Sequence, residues 1–146
     1  MYVLVLRQLD GINKGIQATH ACLEYALKYG DTEEYQNYIN NDKTVIILNG
    51  GTSIDLYSIY EDLVNNNIKF GYFREPDLDN MITAICFLAD ERVYNGPTLK
   101  EYLEEYNDDR TMCSLTFASC AEYVKAIGGK ENAIIKDIIS NKRLAN

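Results

Sequence analysis

The stretch that decides the fold is MYVLVLRQLDGINKGIQATHACLEYALK, residues 1–28. Its first part, residues 1–7, is rich in apolar and β-branched side chains without alternation, which is typical of a strand buried on both faces. A polar turn follows, and helical periodicity then runs from about Lys14 to Lys28, just before Gly30, a residue favoured after a helix C-terminus. A buried strand followed directly by a helix predicts an α/β protein.

The rest of the chain continues this pattern and then becomes helical. We expect the order β-α-α-β-α-β-β, with a parallel crossover in the middle. The last two strands are joined by the short polar loop at residues 75–80, so they should be antiparallel neighbours in a four-stranded mixed β-sheet flanked by helices. The expected strands are 1–7, 43–48, 68–74 and 81–89, and the expected helices are 14–28, 33–41, 52–65, one from Pro97, 112–127 and 131–140.

Length and composition predict one soluble domain over residues 1–146. Within it, residues 1–90 should form the α/β core and residues 91–146 a C-terminal helical extension packed on that core. No apolar run approaches the roughly 18 residues of a membrane span, and no signal peptide is readable. We therefore expect a cytoplasmic protein with no membrane contact.

The charge and cysteine content exclude several functions. The net charge is −8, and residues 1–96 hold seven Lys and Arg against 14 Asp and Glu. Binding to extended duplex nucleic acid is disfavoured, because it draws much of its affinity from Lys and Arg. Four cysteines without a Cys-x-x-Cys pair, and only one histidine, do not make a zinc site. The cysteines are expected to be reduced and buried.

The single histidine, His20, lies in the first predicted helix. It falls at the edge of an apolar arc that we expect to face the core, with Gln17 and Glu24 within one helical turn. Two interpretations remain open: a half-buried structural histidine bonded to Glu24 or to backbone, and a functional one. The apolar arc consists of Ile12, Ile16, Thr19, Leu23, Ala26 and Leu27.

Other candidates lie where the predicted strands end. Ligand sites of open α/β sheets lie beyond the carboxyl ends of the strands, and Arg7, Asn49, Arg74 and Glu75 occupy such positions. The pair Gly50-Gly51 before a helix lacks the rest of a phosphate-binding loop, so it predicts a turn.

The motif Gln17-Ala18-Thr19-His20-Ala21 resembles the Gln-x-x-His-Ala signature of the archaeal/eukaryotic-type (type II) peptidyl-tRNA hydrolase family. The stretch Phe73–Asp77, followed by a strand that begins near Thr83, is similar to the second signature of that family. The likeness covers about residues 1–90. Three features depart from the family pattern: Lys14 lies closer to the histidine, Glu75 replaces an Asp, and the loop after it is shortened.

The resemblance implies an esterase that releases a peptide or N-blocked amino acid from the 3′ end of tRNA, without metal or organic cofactor. His20 would bind or activate water, with Glu75 or Asp77 as the base or as its carboxylate partner. Gln17 and Thr83 would supply neutral hydrogen bonds, and Lys14 and Arg74 would hold the terminal phosphate.

Two other functions fit the same sequence. One is a non-catalytic member of the same fold that binds a nucleotide or RNA end. The other is an acidic adaptor or inhibitor whose Tyr- and Leu-rich C-terminal helices meet a basic protein partner. A homodimer is compatible with all three.

Overall fold

The structure is a computed structural model that describes residues 1–106 and 117–145, without the side chains of residues 106 and 117–120. The predicted order of strands and helices over residues 1–90 is confirmed, and the part of the predicted 112–127 helix before Phe117 lies outside the described residues. The strands are β1 Tyr2–Leu6, β2 Ile46–Gly51, β3 Gly71–Glu75 and β4 Met81–Phe87, and the helices are α1 Gly11–Tyr29, α2 Glu33–Asn37, α3 Ser53–Asn65, α4 Glu91–Asn95, α5 Leu99–Tyr106, α6 Phe117–Ala126 and α7 Lys130–Ser140.

The four strands form one mixed sheet in the order β2-β1-β4-β3, which confirms the predicted α/β class. Strand β1 is parallel to β2 and antiparallel to β4, and β4 is antiparallel to β3. The two central strands are the most deeply buried, because each has a neighbour on both sides and helices on both faces.

The two faces of the sheet have different covers. Helix α1 packs on the face that presents Val3, Val5, Ala84 and Cys86. Helix α3 packs on the opposite face, where the Tyr60 ring meets Phe70 and Tyr72 edge-on. Successive residues of a strand point to opposite faces, so β3 contributes different side chains to the two helices.

The predicted orientation of α1 is wrong. Its apolar arc is exposed, with Ile12 at 77% and Leu27 at 81% accessibility, and the buried residues are instead Gln17, Ala18, Ala21 and Tyr25. Ala18 and Ala21 permit a close approach of this side of the helix to the sheet, and Gly71 leaves room for Tyr25.

Local signals place the helix starts well. Asp10 accepts a hydrogen bond from the Asn13 backbone and begins α1 three residues earlier than predicted. Thr52 and Asp55 form a capping box at the start of α3, where the predicted helix also begins. The predicted 33–41 helix is shorter, since α2 ends at Asn37 and a π-helical turn, Tyr38–Asp42, follows.

The turn predicted at Asn49-Gly50-Gly51 is part of β2. Asn49 pairs with Val5 and Gly51 with Leu6, and the Arg7 backbone donates to the Gly51 carbonyl at 2.8 Å. Gly51 has a φ of 92°, a left-handed conformation that favours glycine. The glycines therefore end the strand rather than reverse the chain.

The chain divides into two compact units: Met1–Leu88 with Lys142–Asn146, and Ala89–Asn141. The first contains the sheet, and residues 143–145 lie along the outer edge of β2, where the Asn49 backbone donates to Arg143 and the Ala145 backbone donates to Ile47. The second contains α4 to α7, of which α4 is not anticipated by the sequence pattern. Within the described ranges, no helix is both long and apolar enough to cross a membrane.

Candidate active site

Helix α1 brings Gln17 and His20 to the sheet one turn apart. Its N-terminus follows β1 after only four residues, and Asp10 fixes that start by capping. Residues three apart on a helix share a face, so both polar side chains are directed toward the edge strand β3. Gln17 is only 7% exposed, whereas His20 is half-buried.

A β-bulge turns Thr83 toward the same helix. Phe73 pairs with Ala84 and Arg74 pairs with Ile82, so Thr83 is the extra residue of β4 at this point. A bulge redirects side chains relative to regular alternation. Thr83 and its neighbour Ala84 therefore both point to the α1 face, whereas successive strand residues normally alternate. The Thr83 side chain is completely buried.

Gln17, Glu75 and Thr83 form one hydrogen-bonded network. The Thr83 hydroxyl donates to Gln17 Oε1 at 2.6 Å, and Gln17 Nε2 donates to Glu75 Oε2 at 2.5 Å. The hydroxyl donor and the carboxylate acceptor together define which end of the amide is oxygen and which is nitrogen. The carboxylate is half-buried and retains acceptor positions for a further donor such as water.

The His20 ring stacks on Phe73. The ring centroids are 4.4 Å apart with an interplanar angle of 19°, which is a parallel arrangement of the two π systems. Among the described residues no carboxylate forms a hydrogen bond or an ion pair with the imidazole, and Glu75 is bonded to Gln17 instead. The stack fixes the ring plane of this half-buried residue.

The remaining predicted residues are spread around this network. Lys14 lies one turn before Gln17 and is half-buried, and Asp77 is exposed in the short helical turn Pro76–Leu78. Arg74 lies on the opposite face of the sheet, where its guanidinium sits 5.8 Å from the Tyr60 ring centroid. The structure thus brings together Gln17, His20, Glu75 and Thr83, and it does not bring Arg74 to them.

Two contributors were missed by sequence reasoning. Phe73 is the side chain on which His20 stacks. It lies two residues before Glu75, so both side chains point to the same face of β3, and this spacing could have identified it. Gly71 is the second: an added Cβ would come within 2.5 Å of the Ala21 carbonyl oxygen and 2.6 Å of the Tyr25 nitrogen. Glycine at this position permits α1 to approach β3 closely enough for the network to form.

No metal site accompanies the network in residues 1–106 and 117–145, where no group of three or more His, Cys, Asp and Glu side chains could hold an ion. Models of known protein families give no match to this chain, and curated proteins give none either.

Proposed function

We propose that this protein hydrolyses the ester between a peptide, or an N-blocked amino acid, and the 3′ end of tRNA. The observation that supports this proposal most is the buried amide of Gln17, held between Thr83 and Glu75 with His20 one turn away. All four residues lie in the two stretches that resemble signatures of type II peptidyl-tRNA hydrolases.

Ester hydrolysis requires a base for water and a donor for the developing oxyanion. Glu75 is the proposed base, because its carboxylate is oriented by Gln17 and can still accept a water proton. His20 is the proposed donor to the acyl oxygen or to the leaving ribose oxygen, because its ring is held flat on Phe73 with solvent access.

Thr83 and Gln17 are positioning residues in this mechanism. Thr83 is 0% exposed and donates to Gln17, so its hydroxyl reaches the substrate only through the amide and the carboxylate. The three side chains form a relay that holds Glu75 in one orientation. Fixing the base in this way lowers the reorganisation needed for reaction.

Contact with tRNA is proposed to be confined to its 3′ end. The chain carries net charge −8, which opposes an extended phosphate interface. Lys14, one turn before Gln17, is the proposed contact for the terminal phosphate, and Arg74 is left out of the proposal because it lies on the other face of the sheet.

The direct test is release of N-acetylaminoacyl groups from tRNA by the purified protein. His20→Ala and Glu75→Gln should each lower kcat by about 10²-fold or more, the usual contribution of a general acid or base. Glu61→Gln, an exposed carboxylate of α3, is the matched control and should leave kcat within about twofold. Absence of turnover in the unmodified protein, or turnover in both site variants that is unchanged from the unmodified protein, would contradict the proposal.

A second candidate function is binding of a nucleotide or RNA end without hydrolysis. It is favoured by one observation, namely that Glu75 bonds to Gln17 rather than to the imidazole. This function predicts no turnover together with saturable binding of a short CCA oligonucleotide. Binding should weaken in Lys14→Ala and persist in His20→Ala.

A further inference from the structure

Cys22 and Cys86 are neighbours in the core beneath the network. Cys22 is on α1, two residues after His20, and Cys86 is on the central strand β4, three residues after Thr83. Cys86 is completely buried, and Cys22 packs partly buried against the same apolar cluster. The Cys86 thiol donates to the carbonyl of Ala21, the residue directly before Cys22, at 3.1 Å.

The two thiols differ in environment. Cys22 is half-buried with its thiol 3.4 Å from the Met1 thioether, whereas Cys86 is completely buried. The neighbouring Cys86 thiol lowers the pKa of Cys22, and the neighbouring Cys22 thiol together with burial raises the pKa of Cys86. A thiolate is the species that attacks an oxidant, so Cys22 is the reactive member of the pair.

We infer that Cys22 and Cys86 form a peroxide-sensitive dithiol that closes to a disulfide between helix α1 and strand β4. In the first step the Cys22 thiolate attacks hydrogen peroxide, which breaks the O–O bond, gives a sulfenic acid on Cys22 and releases hydroxide. In the second step the Cys86 sulfur displaces the sulfenic oxygen, which leaves as water with the Cys86 proton. One peroxide is reduced and two thiols are oxidised.

This modification site is independent of the proposed esterase. Its basis is the placement of the two cysteines on different elements in one apolar cluster, with the Cys86 thiol against the Ala21 carbonyl beside Cys22, and not the chemistry of Glu75 or His20. The crosslink would tie the helix that carries Gln17 to the strand that carries Thr83, and it constrains the unfolded chain.

The test uses a Cys113→Ser/Cys120→Ser background, so that only the two thiols in question remain. Dilute hydrogen peroxide should lower the intact mass by about 2 Da, the loss of two hydrogens, and dithiothreitol should reverse it. The oxidised protein should unfold at a higher temperature than the reduced one. In a Cys86→Ser variant of this background, Cys22 should instead gain about 32 Da as sulfinic acid, because no second thiol is present.

Two results would overturn the inference. One is conversion of Cys22 to sulfinic acid while Cys86 stays reduced in the double-serine protein. The other is disulfide formation that is no faster in the folded protein than in urea. If the double-serine background does not fold, the unmodified chain is treated with peroxide and its peptides are mapped without reductant. A peptide linked through Cys22 and Cys86 supports the inference, and its absence overturns it.

Discussion

The two long faces of helix α1 can be compared directly. One face carries the large apolar side chains Ile12, Leu23 and Leu27, and it is exposed. The other carries a glutamine and two alanines before Tyr25, and it is buried against the sheet. The difference teaches that the buried side of this helix is set by its fit to the sheet, where two alanines allow close approach and Tyr25 lies against Gly71, and not by the number of large apolar side chains.

The largest loss of stability is expected at Gly71, where helix α1 and strand β3 approach each other most closely. Gly71→Ala would place a methyl group 2.5 Å from the Ala21 carbonyl oxygen, which forces α1 away from β3. We expect the free energy of unfolding to fall by about 3 kcal/mol, as in other overpacked cores. Urea unfolding measures this loss, and an unchanged midpoint would show that the helix is free to shift.

The next largest loss of stability is expected in the network of Gln17, Glu75 and Thr83. Thr83→Val keeps the side-chain shape but leaves Gln17 Oε1 without its donor in a nearly dry site. The free energy of unfolding should fall by about 1–3 kcal/mol, the cost of an unsatisfied buried acceptor. Thr19→Val is the control, since Thr19 is exposed and bonds only to its own helix. Equal losses in the two variants would argue against the network as a source of stability.

Sequence reasoning succeeded where the signals are local. The capping box at Thr52, the buried strand β1 and the order of elements all follow from neighbours in the chain. It failed where the cause is distant in sequence: the side of α1 that is buried depends on Gly71, and the direction of Thr83 depends on a bulge opposite Arg74. The motif residues Gln17 and Glu75 were identified, but their direct bond to each other was not.

A smaller change in the opposite direction, a gain of stability, is expected for a substitution in helix α1. Gly15 lies within α1, and an added Cβ meets no atom within 4 Å. Gly15→Ala should therefore raise the free energy of unfolding by about 0.5–1 kcal/mol through helix propensity. Thermal unfolding should therefore show a higher midpoint for Gly15→Ala and a lower one for Gly71→Ala. A lower midpoint for Gly15→Ala would mean that another part of the protein packs against this side of α1.

The smallest effect is expected on the exposed apolar face. Leu27 is 81% exposed, so Leu27→Gln should change the free energy of unfolding by no more than about 0.5 kcal/mol. Ala21→Gln, on the buried face, is the paired variant and should cost at least about 2 kcal/mol. A large loss in Leu27→Gln would reverse the assignment of the two faces.

The backbone pairing of residues 143–145 with β2 has a consequence for self-association. An open sheet margin is a template for strand addition by other chains, and here the β2 margin is already occupied over Ile47 to Asn49. In the part of the chain that the structure describes, the other margin of the sheet is β3, and its Arg74 and Glu75 are charged side chains of the kind that disfavour strand addition.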